Sequence, residues 1–567
     1  MSKKKVFYHG KIYTSNPELP WAEAIVVDGK YITYAGTNED AGNLAADAET
    51  VDLNGKTVIP GLLDGHTHPI TVAKTHYRVC MPLTHDLDEL LSNIRKAAEE
   101  NPKEERPFLF CENYFAECFG PEGPKKEMLD EIVSDRPARI QDFTDHACWF
   151  NSMAIEMLKD ENGIPHSESP LGEAHFVQDE NGEYTGWCME SGPEGDHGIY
   201  EATGWYPPET PDEEMIKPLL DFFKQHGVMA VMDGFTEGEE AIKLFYDLDK
   251  AGKLGMYYEG SSHAGKYEDL DNAVKNVRDW QEKYGTEHVH INTVKMFVDG
   301  TNELGDCLST EPFHNDPEGR NCGEAAFTKE ELKKTMIRLN EEGIDLHLHI
   351  ICDGAFRMVV DALEEAKAEC GDAWKIYVTG AHCELTVPED RVRAAKAGMF
   401  IDWSTHWSGG YFGEAAQAFH GLERWNTMYD FHEFVEAGGI LGFSSDVFSY
   451  QEAVRANPYF GMQVAMTKVD PMLPLDPERY PGSVREPETA KYTLEQLLKG
   501  YTINNAVRMR LEDKTGSLEA GKYANFIVLA KDIFNTSPED VGTVTAECTY
   551  FEGEKRNIVS TLNAAEI

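Results

Sequence analysis

The chain has 567 residues, more than one ordinary domain holds, and its 41% hydrophobic and 11% aromatic residues are enough for a large core. Its formal charge is −48, from 100 acidic against 52 basic residues, which sets it against nucleic acid or an anionic membrane surface as a partner. Eleven cysteines are scattered without a CxxC pair, favouring reduced thiols in a cytoplasmic protein over a disulfide frame.

The opening stretch, MSKKKVFYHGKIYTSN, is basic but has no apolar h-region, so no secretory signal is expected. No run of eighteen apolar residues is present to span a membrane. KVFYHGKIYT and AEAIVVDGKYITYAG read as short strands with turn signals at His9-Gly10 and Asp28-Gly29. NFIVLAKD and TVTAECTYFEGEKRN read the same way near the other end, so residues 1–56 and 513–567 are expected to form one small β domain built from both termini.

Between them, residues 57–512 alternate strand and helix. Eight short apolar runs end in polar residues: KTVIPGLLDGHTH, GVMAVMDG, LGMYYEGSS, INTVKMFVDG, GIDLHLHI, KIYVTGAH, GMFIDWS and GILGFSSD. Helical patterns such as TKEELKKTMIRLNEEG and AFRMVVDALEEAKAEC separate them. Eight strands with helical crossovers predict an α/β fold of the (β/α)8 TIM-barrel type, with functional residues at the C-terminal strand ends. Residues 80–215, between the first two strands, form an expected insertion or cap with its own strand-like pieces, RPFLFCENY and ARIQDFTDH.

The strand ends carry the chemistry. The first ends in His66 and His68, which share a face because strand side chains alternate. Lys295 lies within the fourth, His347 and His349 end the fifth, His382 the sixth and Asp446 the eighth. Imidazoles and a carboxylate suit Zn²⁺ or a similar divalent ion with a position left open for water. A lysine between Val294 and Met296 in a barrel strand is costly to bury charged. A depressed pKa or conversion by CO₂ into an N-carboxylate removes the charge, and beside four histidines and an aspartate the second is favoured.

GLLDGHTHP, VKMFVDGT, LHLHIICDGA, AHCELTVPED and GFSSD, in this order, resemble the amidohydrolase superfamily, in particular the branch that includes N-substituted formamide deformylase. DHACWFNSMAI and TGWCMES in the insertion, and YTINNAVRM and GSLEAGKYANFIVL in the tail, extend the resemblance over nearly the whole chain. It implies a barrel with a split β-sandwich and a metal-dependent hydrolase. Residue by residue, it implies that His66 and His68 hold the more buried metal, carboxylated Lys295 bridges, and His349 and His382 hold the other. Asp446 then touches metal and shuttles protons. His349, four residues before Asp353, fits the pattern better than His347, which is expected to be structural. The sequence departs from the branch at Ala381, where Glu is common, at Cys352 and Gly354, where Gly and Arg are common, and at Asn525, which replaces an Asp.

The implied reaction is hydrolysis of an amide or related C–N bond of a small molecule, such as an N-formyl, N-acyl or cyclic amide. Two divalent ions, zinc first with Mn, Fe or Co as alternatives, lower the pKa of a shared water towards neutrality. Weaker candidates for substrate contact are Asp145, His146, Trp149 and Asn151 in the insertion, His263 after strand three, His347, and His406 and Trp407 after strand seven. A decarboxylase, deaminase or other lyase on the same barrel is the alternative, and a non-enzymatic assembly relative a more distant one. A homodimer is the expected assembly.

Overall fold

The computed structural model describes residues 4–44, 47–75, 77–120, 122–143, 146–169, 172–191, 195–207, 211–302, 304–409, 416–472 and 490–556. Eight parallel strands form its central sheet: β1 (Leu62–Thr67), β2 (Val228–Asp233), β3 (Tyr257–His263), β4 (Val289–Phe297), β5 (Asp345–Ile350), β6 (Val378–His382), β7 (Phe400–Ser404) and β8 (Ile440–Ser444). They are ordered as in the sequence. At the seam β8 comes back beside β1, where the Asp446 N–H donates to the His66 carbonyl (2.8 Å) and the His68 N–H to that of Val447 (3.0 Å). The fold is therefore the (β/α)8 barrel expected from the sequence, and all eight quoted runs supply its strands.

The strands read as near-continuous apolar runs because they are buried on both faces; every residue of β2 is buried. The outer helices bury one stripe each. Helix α1 (Lys329–Glu342) begins with a capping box from Thr328 and Glu331 and buries Leu332, Thr335, Met336, Leu339 and Asn340. It stops at Gly343, whose φ of 70° is the left-handed conformation that suits glycine. Helix α2 (Asp353–Cys370) buries Phe356, Val359, Val360, Leu363 and Ala366 against the barrel. Each large apolar side chain so buried contributes roughly 1.5–3 kcal/mol.

The run KTVIPGLLDGHTH is two strands. Thr57–Pro60 pairs antiparallel with Phe526–Val528, and only from Leu62 does the chain pair with β2. The change of sheet falls at Pro60-Gly61, where a Cβ on Gly61 would meet the Met229 sulfur at 2.3 Å. The six-stranded sheet that contains Thr57–Pro60 draws strands from both ends of the chain, and a second, four-stranded sheet comes from residues 5–52. Phe7, Ile12, Ile25, Val58, Phe526, Val528 and Tyr550 form a shared core, with the Phe7 ring 5.0 Å from both Phe526 and Tyr550.

The segment after β1 folds as another six-stranded sheet, ordered His175–Gln178, Tyr184–Met189, Ala147–Phe150, Ala138–Asp142, Leu109–Tyr114, Val79–Cys80. Its two faces carry separate apolar clusters. A fully buried Arg139–Asp196 pair (2.7 Å) lies on the face that carries Phe110 and Phe150. Among the described residues no helix is long and apolar enough to cross a membrane.

Candidate metal centre

The C-terminal ends of β1, β4, β5, β6 and β8 converge. The His66 and His68 rings lie 5.0 Å apart, as their spacing of two on a strand requires. His66 Nε2 and His68 Nε2 stand 3.3 and 3.0 Å from Asp446 Oδ1, and His382 Nδ1 stands 3.2 Å from Asp446 Oδ2. The donor atoms of His66, His382 and Asp446 all fall within 4.8 Å of one another. Donors bound about 2.1 Å from one tetrahedral ion are about 3.4 Å apart, so the set has the span of a metal site.

Two of these residues sit in strained backbone. His382 has φ 70° and Asp446 φ 48°, left-handed conformations that cost a non-glycine residue of order 1–3 kcal/mol each. The strain aims two side chains, one at the end of β6 and one just after β8, at one point. Space is reserved for the first histidine as well: a Cβ on Gly234 would lie 2.5 Å from His66 Nε2, so only glycine fits beside that ring.

Burial sets the protonation states. Desolvation, then the nearby Lys295, pushes His66 and His349 well below the usual histidine range. Desolvation and the His349 ring do the same to His382. These imidazoles are neutral at pH 7, the form that donates a lone pair to a metal. Lys295 is completely buried. It stands level with His263 on β3 and His347 on β5, and its Nζ lies 4.8 Å from the Phe297 ring centre. Desolvation brings its pKa down to about 7 against the opposing pull of Asp446, Asp402 and Asp233.

His66 Nε2, His382 Nδ1, Asp446 Oδ1 and Lys295 Nζ are buried with no hydrogen-bond partner among the described residues. Orphaned polar atoms are expensive to bury, and the three from His66, His382 and Asp446, which fall within one 4.8 Å set, fit a cation. His349 packs against His382, with ring centres 4.7 Å apart. Its Nε2 donates to the Gly300 carbonyl (3.1 Å), so in the neutral ring Nδ1 carries the lone pair. His347 Nε2 lies 2.7 Å from His66 Nδ1, so His347 orients His66 from behind.

Beneath the donors is a polar layer that the strand pattern did not reveal. Asp64 accepts from the Ser445 N–H (3.0 Å) and hydroxyl (2.6 Å) and from the His66 N–H (3.3 Å), tying β1 to the Asp446 loop. Burial nevertheless pushes its pKa up to about 7. Asp402 is buried so close to Gly65 that a Cβ there would meet Oδ2 at 1.8 Å. Arg508 Nε lies 3.7 Å from Asp402 Oδ2 and its NH2 donates to the Gly65 carbonyl (2.6 Å). Asn505 bonds the Leu63 and Phe443 carbonyls, both at 2.7 Å. Asp299 accepts from the N–H groups of Ile351, Cys352 and Leu308, fixing the turn after His349. Asn505 and Arg508 stand in YTINNAVRM, the tail segment already marked by resemblance, which was their only sequence signal.

The weaker candidates separate. Trp407 stacks on His382, with centres 5.1 Å apart and planes 13° from parallel. His263 lies against Phe235 and Phe297, the latter 5.0 Å from His349. His146 reaches in from the insertion, 6.0 Å from the His349 ring. Burial lowers its pKa, but the Glu190 carboxylate 3.1 Å away overrides this and leaves it at about 10, so it is an imidazolium at pH 7. His406 is buried beside Trp407, the ring centres 6.3 Å apart. Asp145 lies outside the described residues.

Two expectations are corrected. Asn151 does not line a pocket: its side chain caps helix Ser152–Leu158 through the Ala154 N–H, accepts from the Ala138 N–H and donates to the Val133 and Arg136 carbonyls. Those bonds use its whole capacity. Trp149 is buried among Tyr114 and Phe119 and its indole N–H donates to the Lys125 carbonyl (3.0 Å), as core side chains do.

Residues 49–555 match the amidohydrolase family. The chain is 27% identical over 412 residues to the exoenzymes regulatory protein AepA of Pectobacterium carotovorum, covering 71% of this chain and 85% of that protein. It is 24% identical over 563 residues to the N-substituted formamide deformylase of Arthrobacter pascens, covering 94% and 95%. An uncharacterized metal-dependent hydrolase from Pyrococcus furiosus superposes with a TM-score of 0.63 at 24% identity, over 94% of this chain and all of that one. With a family match over most of its length and the strand-end donors in place, the chain belongs to the amidohydrolase family.

Proposed function

We propose that this protein is a metal-dependent hydrolase that cleaves an amide or related C–N bond in a small molecule. The observation that carries the reading is the cluster of His66, His382 and Asp446, whose donor atoms all lie within 4.8 Å of one another at the C-terminal face of the barrel, with the fully buried Lys295 on a neighbouring strand. His66, His68, His349, His382, Asp446 and an N-carboxylated Lys295 would hold two divalent ions, zinc being the first choice for this donor set. Such ions supply a water acidic enough to be deprotonated at pH 7 and a positive charge for the substrate carbonyl oxygen.

The chain does the rest. Asp446 is held by its left-handed backbone with both carboxylate oxygens towards the histidines. From there it takes the proton of the attacking water and passes it to the departing nitrogen, a role worth typically 10²–10⁴ in rate. Trp407, stacked on His382, keeps that ring in one orientation and shields it from bulk water. Phe235, Phe297 and His263 offer an apolar wall. The His146 imidazolium brings a fixed positive charge from the insertion to within 6.0 Å of the His349 ring, suited to an electronegative substituent on the substrate.

A panel of N-formyl amines, N-acyl amines, cyclic amides, dipeptides and carboxylic acids, offered to fully metallated protein, tests the reading. Release of an amine or ring-opened acid from one of the non-peptide amides is expected. Turnover of a carboxylic acid with release of CO₂, and of no amide, would replace the hydrolase with a lyase.

A further inference from the structure

A second cluster of donor atoms lies outside the histidine centre. Cys307 follows β4, Cys352 precedes α2 as its N-cap, and His420 lies on helix Ala416–Asn426 after β7; all three are buried. The two sulfurs are 2.9 Å apart, and Cys352 Sγ is 3.5 Å from His420 Nε2. Asn302 Oδ1 joins them, at 2.6 Å from His420 Nε2, 3.3 Å from Cys352 Sγ and 3.4 Å from Cys307 Sγ. The Asn302 amide nitrogen donates to Glu384 (2.7 Å), so its oxygen is the atom that faces the cluster.

The donor atoms of Cys307, Cys352 and His420 all lie within 4.8 Å of one another. With no ion bound, one thiol donates to the other sulfur, and the second thiol and the imidazole N–H to the amide oxygen. Exchanging the thiol protons for a cation leaves two thiolates, an imidazole nitrogen and a carbonyl oxygen around one point, with the sulfurs drawn apart to about 3.7 Å on a tetrahedral ion. Thiolate ligands select soft or borderline ions, Zn²⁺ above all for a mixed sulfur and nitrogen set, over Mg²⁺, Ca²⁺ or Mn²⁺.

We propose that Cys307, Cys352 and His420, with Asn302 as the fourth donor, form a structural site for a thiophilic divalent ion, separate from the histidine centre. Loading releases the two thiol protons to solvent, forms two metal–sulfur bonds and one metal–nitrogen bond, and changes no oxidation state. The ion would clip together three barrel-mouth loops. One of these carries Gly300, whose carbonyl holds His349 Nε2. Another ends at Cys352, three residues beyond His349. The clip thus stiffens the shelf on which His349 rests.

Cobalt(II) is the probe, because a thiolate-to-cobalt charge-transfer band reports sulfur ligation and the histidine centre includes no cysteine. Titrating the full-length apoprotein with Co²⁺ should give this band, saturating at about one equivalent of the ion that binds there. His382→Ala should leave the band intact, and Cys307→Ser and Cys352→Ser should each abolish it. Should the serine variants fail to fold, the wild-type spectrum decides alone. The proposal is overturned by a wild-type protein that takes up Co²⁺ without the band, or by a band that survives both serine variants. It is equally overturned by a Cys307–Cys352 disulfide in peptides from freshly purified, unreduced protein, which would make the pair a redox couple.

Discussion

At Lys295 the barrel interior and the solvent compete for one proton. Burial wins enough to bring the pKa to about 7, and CO₂ adds only to the neutral amine. About half of the side chains are neutral at pH 7 and about a tenth at pH 6. Chelator-stripped protein given metal and the same concentration of dissolved CO₂ at every pH should therefore regain activity at a rate that climbs between pH 6 and 8 and then levels off. A lysine of ordinary pKa would keep climbing towards pH 10. The neighbouring imidazoles do not confound this window, since burial already holds His66, His349 and His382 neutral there. Asp446 carries the other residue-scale claim. Asp446→Asn preserves shape while removing the proton carrier, so kcat and kcat/KM should fall together by about 10²–10⁴ with the circular dichroism spectrum unchanged.

Small residues decide whether the elements can meet. Gly234→Ala would drive a methyl group into the His66 ring, and metal affinity, measured by competition with a chromogenic chelator, should weaken by about 10–100-fold. Asn151→Ala belongs to the insertion. It removes a helix cap and strands buried donors, so urea unfolding should show a loss of about 2 kcal/mol while kcat per folded molecule stays the same. The contrast between these glycine and asparagine positions shows what a sequence can reveal. All eight barrel strands were legible because an element buried on both faces must be apolar throughout. The crossing from sandwich to barrel at Gly61 was not, because a continuous apolar run looks the same whichever sheet it joins; only Pro60-Gly61 hinted at the break. The donors were legible as polar residues at strand ends. Asp64, Asp402 and Asp299 were not, since a lone carboxylate in or beside a strand gives no sign of the backbone N–H groups or glycine that will face it. Asn151 erred the other way, because its motif reads alike whether it caps a helix or lines a pocket.

Across the whole molecule, the barrel collects its donors from five strand ends and the insertion adds a cationic His146 beside them. The central claim is that these donors form one metal centre organised by Lys295. It is tested most directly by metal content per chain for wild type and Lys295→Ala, both purified without chelator and analysed by plasma mass spectrometry. The account rests on the difference between the two proteins, because any ion in the cysteine cluster is common to both. The variant should lose the bridged pair of ions, and turnover with it. Equal metal content and equal activity in the two proteins would make Lys295 a bystander and contradict the account.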